Sequence, residues 1–135
     1  FKMKNILFIF SLLMLFSCKK EEVQSEPIEG LQVINSLNQF NAELESGVAM
    51  VFFHATWCSV CQAQRPAIID VAQDTELSNV FFGEVEYEDY PAIVEAQNVE
   101  GFPSIIIYND GIEVERFLGG GHMASTIKSV LLSLL

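Results

Sequence analysis

The sequence predicts an α/β domain with a central mixed β-sheet flanked by helices. Three observations predict it. From Leu31 onward, short β-rich runs alternate with runs of helical period. Val48-Ala49-Met50-Val51-Phe52-Phe53 is continuously apolar at strand length, the pattern of a strand buried on both faces. Asn109-Asp110-Gly111 marks a hairpin between two further strands, which adds antiparallel pairing to the alternating pattern. The chain has 135 residues, enough for one compact domain and not two.

Each element has its own signal. Leu31 to Ile34 suits a short strand. Ser36 caps a helix from Leu37 to Glu45, with Leu37, Phe40 and Leu44 on one stripe, and Gly47 ends it. The apolar strand Val48 to Phe53 follows. A helix from Cys58 to Gln73 buries Ala63, Ala67, Ile68 and Val71, and Pro66 interrupts it. Val80 to Val85 is a strand. Asp89-Tyr90-Pro91 opens a helix to Gln97, with proline in the first turn, where its missing N–H is not needed. Ser104 to Tyr108 and Ile112 to Leu118 are the hairpin strands. Gly119-Gly120-Gly121 breaks the chain before a last amphipathic helix, Met123 to Leu134.

The segment before this domain reads differently. Met3 is the expected initiator, Lys2 and Lys4 form a basic start, and Ile6 to Phe16 is an apolar run. That run is too short to span a bilayer as a helix, which needs roughly twenty residues, and it fits the core of a signal peptide over 1–17. Leu15-Phe16-Ser17-Cys18 resembles the lipobox of bacterial lipoproteins. The resemblance implies cleavage before Cys18, lipidation of its thiol, and anchoring to a membrane by acyl chains. Residues 18–30 are polar, carry Pro27, and suit a flexible tether to the domain at 31–135. The expected location is the bacterial cell envelope. Lys19 stands where an Asp would resemble an inner-membrane retention signal, so the outer membrane facing the periplasm is the expected address.

The net charge is −11, and Lys or Arg nowhere cluster, which argues against nucleic acid as a partner. Of the three cysteines, Cys58 and Cys61 are paired by spacing, and Cys18 stands apart. Two cysteines three apart at a helix start have a specific use. The first thiol lies at the positive end of the helix dipole, beside unpaired backbone N–H groups that favour the thiolate. The thiolate is the species that attacks a disulfide. The second thiol lies one turn on and resolves the resulting mixed disulfide. Trp57 shields the pair and offers an apolar docking wall. The alternatives are half a zinc site or an inert structural disulfide. Zinc needs two further ligands, for which only Cys18, His54 and His122 are available. No metal and no cofactor are expected.

Leu31 to Leu135 resembles the thioredoxin family over the whole domain. Phe53-His54-Ala55-Thr56-Trp57-Cys58-Ser59-Val60-Cys61 resembles the family's strand and active-site turn, and Pro66 its helix proline. Val99-Glu100-Gly101-Phe102-Pro103-Ser104 resembles the segment holding a cis-proline, Asn109-Asp110-Gly111 the hairpin, and Gly119 the glycine near the active site. The resemblance implies a thioredoxin-like fold and a protein-disulfide oxidoreductase. Cys58 is then the exposed nucleophile, Cys61 the shielded resolver, and Phe102 and Pro103 the edge against which substrate backbone pairs. The implied partners are protein thiols or disulfides and an upstream electron donor or acceptor, met by a monomer. Two other readings fit the same features: a dedicated redox relay component, and a lipoprotein binding module.

The sequence also departs from the family. Phe52 replaces a buried Asp that is thought to shuttle the resolving thiol's proton, Glu84 replaces the lysine paired with it, and Ser59-Val60 replaces Gly-Pro. Glu84 either reaches the cysteines through a water as a proton carrier or points to solvent with Glu86. His54 either tunes the thiolate or packs at the strand end. His122 is expected to be solvated at the start of the last helix.

Overall fold

The computed structural model describes residues 26–135. The expected signal peptide, Cys18 and most of the tether lie outside the described residues. In chain order the elements are β1 (Gln32–Val33), α1 (Leu37–Leu44), β2 (Val48–His54), α2 (Ser59–Ala72), a 3-10 turn (Thr75–Leu77), β3 (Phe81–Glu86), α3 (Pro91–Ala96), β4 (Ser104–Asn109), β5 (Ile112–Leu118) and α4 (Ala124–Leu132). One five-stranded sheet runs in the order β1-β3-β2-β4-β5. The first three strands are parallel, and β4 is antiparallel to both β2 and β5. This is the mixed sheet that the alternating pattern predicts, in the thioredoxin-like form that the resemblance implies.

The central strand β2 is buried along its whole length, as its unbroken apolar run requires. Its alternate side chains feed two cores. Met50 and Phe52 join Ile105, Ile107, Phe82 and both cysteines under α2 and α4. Val51 and Phe53 join Ile106, Val85, Phe40 and Val94 under α1 and α3. Ser36 caps α1 through its hydroxyl oxygen, which accepts the Gln39 N–H at 3.2 Å. Pro91 opens α3.

Three expectations change. The tether meets the domain before Leu31: Ile28 is 4% exposed and belongs to the α2-side core, and its N–H donates to Glu84 Oε1 at 2.7 Å. An isolated apolar residue in a polar stretch gives no periodicity from which to read that docking. The buried stripe of α2 is Cys61, Gln64, Ile68 and Val71. Ala63 is exposed, Ala67 is only half-buried, and the polar Gln64 takes an inward position. Val80 closes the 3-10 turn through a hydrogen bond from its N–H to the Leu77 carbonyl, so β3 begins at Phe81.

Candidate active site

The end of β2 delivers Ala55 to Cys58 to the N-terminus of α2. Cys58 is the N-cap, extended at φ −88° and ψ 101°, and its Sγ accepts the Cys61 N–H at 3.1 Å. Cys58 and Cys61 are joined as a disulfide, with Cα atoms 5.2 Å apart. Sulfur at that position faces the unpaired N–H groups of a 14-residue helix, where negative charge is favoured. Cys61 is fully buried, and Cys58 is 5% exposed. Both sulfur-bearing residues are thus buried, Cys58 the less completely. Cys58, expected to be exposed, is less open than that, because the cap geometry folds its sulfur onto the helix end.

Two glutamates of β3 hold the site from below. Glu86 is 3% exposed, and its carboxylate accepts the Thr56 N–H at 3.1 Å and the Asp89 N–H at 2.8 Å. It pins the active-site turn to the loop after β3. Sequence reasoning missed this role, since an acidic residue in an acidic strand looks solvated. Glu84 is also 3% exposed, and its Oε2 lies 2.8 Å from His54 Nε2. The solvent-facing alternative for Glu84 is therefore corrected. His54 is wholly buried, and its ring stacks on Phe52 at 5.2 Å and 14°. The hydrogen bond between the carboxylate and the imidazole offsets part of the cost of burying both.

The peptide bond before Pro103 is cis. Pro103 is buried, and its carbonyl accepts the Gly119 N–H at 2.9 Å. Phe102 stands edge-on to Trp57 at 6.1 Å and against Tyr87 at 5.2 Å. Trp57 is 64% exposed, so the structure gathers an aromatic wall at the rim of the cysteine pair. Tyr87 was not singled out in the sequence. It follows β3, where the Tyr87 N–H donates to the His54 carbonyl, and only that pairing brings it to the site. A groove of about 640 Å³ continues past Phe102, Ser104, Leu118 and Gly119.

The Gly119-Gly120-Gly121 loop closes the other side. Gln64 Nε2–H donates to the His122 carbonyl at 2.7 Å, and Gln64 Oε1 accepts the His122 N–H at 3.0 Å. His122 is thus half-buried and fixed, its ring 5.1 Å from Phe117, instead of solvated. Its partner lies 58 positions away, beyond any local pattern. A Cβ on Gly120 would stand 2.5 Å from Val60 Cγ1, and Gly120 is not in the left-handed region. Gly120→Ala therefore tests contact and not backbone strain. It should destabilise the oxidised protein by about 1–3 kcal/mol through overpacking. Val60→Ala in the same background should recover most of that loss in urea unfolding. Equal losses with and without Val60→Ala would count against the contact.

Residues 32–132 match the family model described as Thioredoxin. The chain is 33% identical to a thioredoxin of Chlamydia caviae over 84 residues, covering 62% of this chain and 80% of that protein. It is 32% identical to a thioredoxin of Chlamydia trachomatis over 100 residues, covering 74% of this chain and 95% of that one. Among solved structures, a thioredoxin of Malassezia sympodialis superposes with a TM-score of 0.68 at 22% identity, covering 77% of this chain and 90% of that one.

Proposed function

Because the chain belongs to the thioredoxin family and is a thiol–disulfide oxidoreductase, we propose that it works on protein disulfides outside the cytoplasm, anchored through a lipidated Cys18. The observation that carries the exchange chemistry is Cys58 as the N-cap of α2, bonded to Cys61 one turn on. In the reducing direction, Cys58 thiolate attacks a substrate disulfide. A Cys58–substrate bond forms and the first substrate sulfur leaves. Cys61 then attacks Cys58 Sγ, the Cys58–Cys61 bond forms, and the second substrate sulfur leaves. The substrate disulfide is reduced, the protein dithiol is oxidised, and an upstream donor must return the electrons.

Substrate recognition is assigned to the apolar rim. Trp57, Phe102 and Tyr87 offer aromatic area beside the cysteine pair, and a groove of about 640 Å³ adjoins them. A chain of net charge −11 suits substrates that present apolar or basic sequence next to their cysteines.

The location rests on the lipobox-like Leu15-Phe16-Ser17-Cys18 and the signal-like run before it. Cys18→Ser should move the protein from the membrane fraction to the soluble fraction while insulin reduction by the domain is unchanged. Mass spectrometry of the mature wild type should find acyl chains on Cys18. An unmodified Cys18 in the mature protein would remove the anchor from this reading and leave the exchange chemistry standing.

A further inference from the structure

The buried pair beneath the cysteines leads in two directions. On one side, the His54 ring stacks on Phe52, and Phe52 packs in the core that holds Cys58 and Cys61. On the other, Glu84 lines an open cleft of about 540 Å³ whose walls include Glu26, Glu86, Asp89 and Tyr90. The pair is the only side-chain link between these regions among the described residues that combines a carboxylate and an imidazole within hydrogen-bond distance.

The hydrogen-bond inventory fixes the direction of the ring. A carboxylate can only accept, so a neutral His54 carries its hydrogen on Nε2 and donates it to Glu84 Oε2 at 2.8 Å. The other oxygen, Oε1, accepts the Ile28 N–H at 2.7 Å, which holds the carboxylate in place. Nδ1 is left as an acceptor. It is buried and has no hydrogen-bond partner among the described residues. An orphaned buried acceptor is unfavourable, and here it lies on the sheet face that carries the thiols. His54 bonds to Glu84 and stacks on Phe52, Glu86 lies opposite it in the β2–β3 register, and Cys58 and Cys61 share the core of Phe52. No described Lys or Arg pairs with either glutamate.

We infer that His54 is the base that takes the proton of Cys61 when the mixed disulfide is resolved, with Glu84 as its positioning residue. The inference deepens the proposed exchange and rests on it. As Cys61 Sγ attacks Cys58 Sγ, the Cys61 S–H proton passes to Nδ1. The Cys58–Cys61 bond forms, the bond to substrate breaks, and the departing substrate thiolate is protonated by water. The imidazolium is stabilised by the Glu84 carboxylate, which keeps the Nε2 hydrogen, and the Nδ1 proton is then given up to water. His54 thereby returns to its starting tautomer.

Rapid mixing of the reduced protein with a chromogenic aryl disulfide separates the two events. The first aryl thiolate released reports Cys58 attack, and the second reports resolution by Cys61. His54→Gln should slow the second release about a hundred-fold and flatten its pH dependence, leaving the first within about two-fold. Glu84→Gln should slow the second release by about ten-fold and shift its pH profile. A second release that is unchanged in His54→Gln, or slowed only as much as the first, overturns the inference. Absence of both releases in the wild type would instead overturn the exchange reading itself. Ring-nitrogen NMR of the wild type needs no substitution. The oxidised protein should show the Nε2–H tautomer of His54, and its Nδ1 resonance should move on reduction of the disulfide. An Nδ1–H tautomer, or no response to reduction, also overturns the inference.

Discussion

Cys58→Ser should reduce disulfide turnover at least about a thousand-fold, the scale expected when a nucleophile is deleted. A serine hydroxyl at the N-cap still accepts the Cys61 N–H, so helix α2 keeps its cap and the fold should be retained. What is lost is a sulfur whose anion is stabilised at the helix end. Cys61→Ser should behave differently. Cys58 still attacks, the resolving thiol is missing, and mixed disulfides with substrates should accumulate. Insulin reduction measures the first effect, and non-reducing electrophoresis the second. Faster alkylation of Cys61 than of Cys58 in the reduced protein would reverse the assignment, against exposures of 0% and 5% respectively.

The largest stability effect should come from Glu84→Ala. The change leaves the buried His54 Nε2 and the buried Ile28 N–H without acceptors at once. Breaking one side of a buried pair costs about 3–5 kcal/mol, because the remaining partner stays desolvated. Replacing both partners, with His54→Phe and Glu84→Leu, should recover much of that loss, since apolar groups of similar volume suit a core already lined by Phe52. Urea unfolding of the wild type and the two variants checks the order. If the double variant is as unstable as Glu84→Ala, the pair contributes by shape and not by mutual satisfaction. The double variant is also the case in which stability and resolution should part company, with a firm fold and slow second-step chemistry.

The legible parts of this molecule are those written in local pattern. The all-apolar run Val48–Phe53 announced a central strand, Asn109-Asp110-Gly111 announced the hairpin, and the cysteines at a strand-to-helix junction announced the site. What stayed hidden depends on partners far apart in the chain. Glu84 and Glu86 look alike in an acidic strand, yet one holds His54 and the other the Thr56 amide. Both roles come from a parallel register that sets Phe52 beside Glu84 and His54 beside Glu86. Gln64 reads as a surface residue of α2 and is instead the anchor of the glycine loop. Ile28 reads as part of a leash and is core. In each case the environment of a polar or isolated residue is set by partners distant in the chain and not by its sequence neighbours.

The docking of Ile28 has a mechanical consequence. Any load applied from the N-terminal side enters the domain at the Ile28–Glu84 hydrogen bond and then at β1, an edge strand of only two residues. Tension would therefore peel β1 from β3 before it reached the central strands, and the first contact to fail would be one that fixes the Glu84 carboxylate. Drag on an anchored molecule would loosen the support of His54 while the cysteines and the rest of the sheet stayed in place. Pulling from residue 26 in a single-molecule experiment should show a small early extension from this edge, well below the force that opens β2 against β4. Ile28→Ala should make that first event weaker still.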